Sequence, residues 1–256
     1  MIFALMKLHL LLASLLVGAS AIAQNAPAVF PMPSPFPAVP PGVNSATYPA
    51  PRLDWLQRVA LNNDRAHKAA DSIQLIFDGD SITDFWQSRG KDVWTQFYGK
   101  LNAFDFGISG DRTEHLLWRL SQGQVDGIHP KLIALMIGTN NTGTNTPEQI
   151  ADGVKEVIAG YQKHCPDAVI LLQAIFPRAE KPTDPSRLKV KATNEIISKF
   201  ADGKKVIYTD FGDKFLNADG TMSKETMGDF LHPSLKGYQI WAEAIQPIVE
   251  KYFPAK

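Results

Sequence analysis

The chain has a single cysteine, Cys165, in 256 residues. No intramolecular disulfide can staple it, so its stability must come from packing, and Cys165 is read as a buried or half-buried bystander. Charge excess is missing too: 26 Lys and Arg balance 26 Asp and Glu, and no basic cluster stands out. Neither nucleic acid nor an anionic membrane surface is therefore favoured as a partner. From Gln24 to Pro51 charged residues are absent altogether, and nine of the 18 prolines fall there. Such a stretch is expected to be an extended, polyproline-like spacer rather than helix or sheet. The six histidines lack the converging spacing of a metal site, and the glycines of "GISGD" (107–111) lack the third glycine and downstream acid of a dinucleotide fingerprint. No metal and no cofactor is expected. Apolar residues, by contrast, make up 45% of the chain, enough for a full core.

The N-terminus places Lys7 before an apolar run that exits through Ala21-Ile22-Ala23, the small-x-small pattern of a signal peptidase site, with no lipid-anchoring cysteine nearby. Residues 1–23 are thus expected to be a signal peptide cleaved after Ala23. Residues 24–51 are expected to be the spacer and 52–256 one domain, secreted or periplasmic, with no stable membrane insertion after cleavage.

Within that domain, five apolar runs, "SIQLIF" (72–77), "AFDF" (103–106), "KLIALMIG" (131–138), "AVILLQAI" (168–175) and "KVIYTD" (205–210), alternate with segments of helical spacing. Helices are predicted near 112–121, 147–164, 186–201 and 234–252, the last expected to kink at Pro247. "KLIALMIG" is apolar on both faces, as a central strand covered by helices on each side should be. The fold class is therefore α/β, a three-layer α/β/α sandwich on a five-stranded parallel sheet.

Open parallel sheets bind ligands beyond the carboxyl ends of their strands. The residues there are unusual: Asp78-Gly79-Asp80-Ser81, "GISGD" (107–111), "GTNN" (138–141) and, before the last helix, "DFLHP" (229–233). A serine hydroxyl becomes a useful nucleophile only beside a base that is itself oriented by a third group. His232 can be that base and Asp229, three residues earlier, the orienter. The Gly110 and Ser81 backbone N–H groups and the Asn140 amide can donate to a developing oxyanion. Each also has a structural reading: Ser81 as a helix N-cap, Asn140 and Gly110 as turn residues. Asp80 and Asp111 are read as holding loop backbone amides, and His67, His115, His129 and His164 as structural or solvated. An α/β-hydrolase elbow is excluded, because Thr83 stands where its second glycine belongs.

Ser81, Gly110, Asn140 and His232, in that order, resemble the four blocks of the SGNH (GDSL-type) hydrolases. "DWLQR", "FDGDSIT", "FGISGDRTEHLLWRL", "FPRAEKP" and "DFLHPSLKGY" are similar to the catalytic subunits of the intracellular platelet-activating-factor acetylhydrolases within that superfamily. The resemblance implies a flavodoxin-like fold and a serine esterase or lipase without cofactor. It implies Ser81 as nucleophile, His232 as base, Asp229 as orienter, and Ser81, Gly110 and Asn140 as the oxyanion hole. Ile82 departs from the usual leucine without consequence for mechanism. The resemblance also points to short acyl groups, acetyl above all. Export and a neutral surface point to a small-molecule or carbohydrate ester as substrate, with a phospholipid ester as runner-up and an inactive glycan-binding module as the contrasting class. The family includes homodimers, and composition fixes no oligomeric state.

Overall fold

The computed structural model describes residues 38–254, so the expected signal peptide and the first half of the expected spacer lie outside the described residues. Five parallel strands form one sheet in the order β2-β1-β3-β4-β5: β1 Leu75–Gly79, β2 Ala103–Asp105, β3 Leu132–Met136, β4 Val169–Gln173 and β5 Val206–Thr209. That order is the flavodoxin-like one, in which the chain reverses direction across the sheet after β1 and leaves a crevice at the carboxyl ends of β1 and β3.

Strand alternation divides the core in two. Ile76, Ile133, Leu135, Ile170 and Leu172 face one side. There they pack on α1 (Leu56–Lys68), α4 (Thr113–Ser121), α5 (Pro147–His164) and α6 (Pro185–Ile197). Leu75, Phe77, Leu132, Ala134, Met136 and Leu171 face the other side, against α3 (Lys91–Tyr98) and α7 (Leu235–Tyr252). Because β1, β3 and most of β4 bury both faces, their sequences read as continuous apolar runs rather than alternation. Tyr238, Trp241, Ile245 and Val249 line the inner stripe of α7, and the helix runs through Pro247 without a break. Trp241 Nε1–H donates to the Gln173 side-chain oxygen at 2.5 Å, satisfying a buried indole.

Three sequence expectations need correction. The first run forms a strand only from Leu75, since Ala70–Ser72 is a 3-10 turn, and the strand continues to Gly79. Helices α1 and α3 were not anticipated; their residues carry amphipathic faces too short or too polar to stand out. The segment expected to be a spacer up to Pro51 is packed on the domain at its end. Ala46 is fully buried, its carbonyl accepts from Thr113 Oγ1 at 2.7 Å, Asn44 Nδ2 donates to the Gln149 carbonyl at 3.0 Å, and Ala50 N–H to the Glu114 carbonyl at 3.1 Å. These bonds consume the backbone groups that a proline-rich arm would otherwise leave to water.

Candidate active site

β1 leads directly into α2 (Ser81–Asp84). Gly79 is required where the strand ends, because a Cβ there would sit 2.2 Å from the Met136 carbonyl oxygen. The N-cap of α2 is Asp80, not Ser81: its Oδ1 accepts the Ile82 N–H at 2.9 Å, as expected of an acid holding loop amides. Ser81 is therefore the first helical residue, buried to 7% exposure, with its hydroxyl at the positive end of the turn. Tyr238 of α7 fixes the turn from below, its hydroxyl donating to the Ile82 carbonyl at 2.7 Å.

Ser81 Oγ lies 2.8 Å from His232 Nε2, across 151 residues of sequence. His232 Nδ1 lies 2.7 Å from Asp229 Oδ2, and Asp229 Oδ1 accepts the His232 and Leu231 N–H groups at 2.7 and 3.2 Å. Desolvation pushes the Asp229 carboxyl up, but these bonds outweigh it and hold the group below its ordinary range. The carboxylate thus locks both the turn and the imidazole. The turn is closed by a Met227–Pro233 bridge and by Gly228 N–H on the His232 carbonyl, and the Phe85 ring stands 5.1 Å from the imidazole.

The second block packs against the first. Ile108 N–H donates to the Gly79 carbonyl at 3.2 Å, and Asp84 Oδ2 accepts from Ser109 N–H and Oγ at 3.2 and 2.6 Å. Gly110 has φ +81°, where a side chain would be strained and would meet the Arg52 guanidinium. Asn140 follows β3 in a 3-10 turn, Thr139–Gly143, and its Nδ2 donates to the Asp111 carbonyl at 2.8 Å, tying the third block to the second. Its neighbour Asn141 is the fully buried member of the pair, accepting the Thr113 N–H at 3.1 Å and donating to Glu114 Oε2 at 2.9 Å.

Asp111 does not hold loop amides as expected; its carboxylate pairs with Arg119 Nε at 2.8 Å. The Arg119 guanidinium also meets Asp78 at 2.9 Å, and Gln124 and Tyr161 complete the Asp78 shell, all beneath the catalytic strands. Burial still pushes the Asp111 carboxyl up to about 6 against the pull of Arg119. It also pushes Asp80 to about 7, opposed by the Ile82 amide. His115 accepts the Arg112 N–H on Nδ1, and burial followed by nearby arginines lowers its pKa to about 3, so it is a neutral structural residue. Cys165 is buried, its thiol pushed up to about 11 by desolvation.

Among the described residues, no group of three or more His, Cys, Asp or Glu side chains is arranged to hold a metal. Sequence reasoning assigned no role to Arg178, Arg187 or Lys189, although Arg178 and Lys189 grip the loop that carries Asn140 and Arg187 grips the 178–179 strap beside it. Their signal is an accumulation of cations after β4 and in the first turns of a helix, where the helix dipole disfavours them.

The family model of GDSL-like lipases and acylhydrolases matches residues 77–240. The chain is 36% identical over 180 residues to the platelet-activating factor acetylhydrolase IB subunit alpha2 of Homo sapiens, covering 69% of this chain and 74% of that protein. Its fold is similar to a GDSL-like lipase from Bacteroides thetaiotaomicron, with TM-score 0.61, 19% identity and coverage of 74% and 98%. It is similar in fold also to Axe2, an acetylxylan esterase from Geobacillus stearothermophilus, with TM-score 0.53, 17% identity and coverage of 72% and 95%. The sheet order, the serine after β1 and the matched sequence converge on one assignment: the chain belongs to the GDSL-like lipase/acylhydrolase family and is a carboxylic ester hydrolase.

Proposed function

We propose that the protein is an exported serine esterase that removes short acyl groups, acetyl above all, from carbohydrate esters through an acyl-enzyme. The observation that carries the reading is the continuous relay Asp229–His232–Ser81, with both links between 2.7 and 2.8 Å. His232 Nε2 takes the Ser81 proton as Oγ attacks the ester carbonyl, and Asp229 holds the other nitrogen protonated and stabilises the imidazolium. The tetrahedral oxyanion is met by the Ser81 and Gly110 N–H groups and the second Asn140 amide hydrogen. Collapse expels the alcohol, which takes the proton from His232. Water, deprotonated by the same imidazole, then releases the acid and restores Ser81.

The substrate class rests on the expected signal peptide, on a balance of 26 basic against 26 acidic residues that supplies no net pull toward anionic lipid, and on likeness in fold to an acetylxylan esterase. The sequence relationship to an acetylhydrolase of platelet-activating factor favours a second reading, a phospholipid acetyl ester. Wild type and Ser81→Ala, assayed in parallel on p-nitrophenyl acetate, acetylated xylan, acetylated sugars and short-chain phospholipids, test both layers. Retained activity of Ser81→Ala overturns the mechanism. Turnover confined to phospholipid overturns the carbohydrate reading and leaves the mechanism standing.

A further inference from the structure

Two residues with left-handed backbone face each other near the site. Ala179 has φ 65° and Phe230 φ 60°, and neither is glycine. Such a conformation is unfavourable for a residue with a side chain and persists only where its surroundings enforce it. Here the Ala179 N–H donates to the Phe230 carbonyl at 2.8 Å, so each strained residue holds the other. Phe230 lies inside the Asp229–His232 turn.

Arg187 enforces the pair. It is 7% exposed and directs its guanidinium at main-chain carbonyls: Nε to Arg178 at 2.6 Å, one terminal nitrogen to Ala179, and the other to Gly220 at 3.1 Å. The preceding residue of the strap reaches the opposite way. Arg178 Nη1 donates to the Thr139 carbonyl at 2.8 Å, to Thr139 Oγ1 at 3.2 Å and to Thr142 Oγ1 at 3.0 Å, bracketing Asn140. Lys189, two residues after Arg187, donates to the Thr142 and Asn145 carbonyls at 2.7 and 2.9 Å. Arg178 and Lys189 thus hold the Asn140 loop, Arg187 holds the 178–179 strap, and the strap meets the His232 turn through the bond from Ala179 N–H to the Phe230 carbonyl.

We propose that Arg187, acting through Arg178 and Ala179, is a positioning residue that sets the His232 turn relative to the Asn140 loop, so that base and oxyanion donor converge on one carbonyl. The inference rests on the hydrolase reading given above. A fixed fork of donors suits this task because it satisfies several carbonyls at once, which a lysine ammonium on a flexible stem does not. Arg187 also lines a cavity of about 600 Å³ between α6 and the ends of β4 and β5, which neither Ser81 nor His232 lines. A truncated side chain there leaves a space open to small solutes.

Arg187→Ala, Arg187→Lys and Arg178→Gln are compared with wild type on p-nitrophenyl acetate, with folding followed by circular dichroism. A misplaced base costs about 10- to 100-fold in kcat with KM little changed. Millimolar guanidinium, below denaturing concentration, should restore part of the Arg187→Ala rate, and Arg187→Lys should restore less than half of the loss. Folded Arg187→Ala with kcat within about twofold of wild type overturns the proposal. So does a rate loss that only tracks lost folded protein, with no guanidinium rescue. If Arg187→Ala does not fold, Arg187→Lys and Arg178→Gln decide by the same split between kcat and KM. A failed hydrolase reading shows instead in the wild type, as no activity lost in Ser81→Ala.

Discussion

Replacing Arg119 by Met keeps most of the side chain's volume and removes its charge from beneath the catalytic strands. Arg119 is 1% exposed, Asp78 is fully buried and Asp111 is 2% exposed, so solvent cannot take over when the guanidinium is gone. Bonds of 2.8 and 2.9 Å to the two carboxylates are lost together. Removing one partner of a buried ion pair costs about 3–5 kcal/mol, because the remaining charge is left uncompensated. At roughly 2–4 °C per kcal/mol for a domain of this size, the melting temperature at pH 8 should fall by about 6–20 °C. The deficit has a definite pH dependence. Burial already holds the Asp111 carboxyl at about 6 with Arg119 present, and without it the folded-state pKa rises further above the unfolded value. A group raised in the folded state loses stability as pH climbs from its unfolded pKa through its folded one. The variant should therefore lie closer to wild type at pH 5 than at pH 8. Thermal unfolding at both pH values, followed by circular dichroism, makes the comparison. A fall of less than about 2 °C at pH 8, or a deficit independent of pH, refutes the view that this cluster depends on the arginine charge. Adding Asp78→Asn to Arg119→Met should cost less than the two changes summed, since each disrupts the same pair.

Asp229→Asn should lower kcat by about 10²–10³-fold with KM nearly unchanged, less than for a fully buried orienting acid, because the Asp229 side chain is 51% exposed and water screens it; steady-state kinetics on p-nitrophenyl acetate gives the answer. Asn140→Ala removes one oxyanion donor and should cost about 10²–10³ in kcat; a loss confined to KM would take Asn140 out of that role. Asp80, pushed to about 7 by burial, is ionised only at a cost, so wild-type stability should decline from about pH 4 to pH 7. Asp80→Asn keeps an acceptor for the Ile82 amide and should flatten that decline, gaining roughly 2–4 kcal/mol at pH 8 relative to pH 5 in urea unfolding. An equal difference at both values would contradict the shift.

Much of this was legible because parallel sheets force function to strand ends. β1, β3 and β4 are apolar on both faces, so the polar residues just past their ends stand out; Ser81 and Asn140 were singled out there, and His232 in the "DFLHP" block before the last helix. Which asparagine does what was not legible: Asn140 and Asn141 are adjacent and identical, and only tertiary contact makes one a loop tie and the other a buried hub. The alternative reading of Ser81 as the cap of α2 fails because Asp80 and Ser81 are both good cap residues, and the backbone turn between them gives the cap to Asp80. The docked end of the proline-rich segment was invisible because its partners, Thr113, Glu114 and Gln149, lie far along the chain. Arg178, Arg187 and Lys189 were missed for a related reason: their partners are carbonyls, which every residue possesses and no sequence pattern marks.

Ser81 as an activated nucleophile is tested most directly by covalent capture. A fluorophosphonate is incubated with wild type, Ser81→Ala and His232→Ala, and intact mass and peptide mapping follow. One adduct per wild-type chain on Ser81, none on Ser81→Ala and sharply slowed labelling of His232→Ala is the predicted result. Wild-type protein that hydrolyses esters yet carries no adduct on Ser81, or carries it on another residue, would contradict it.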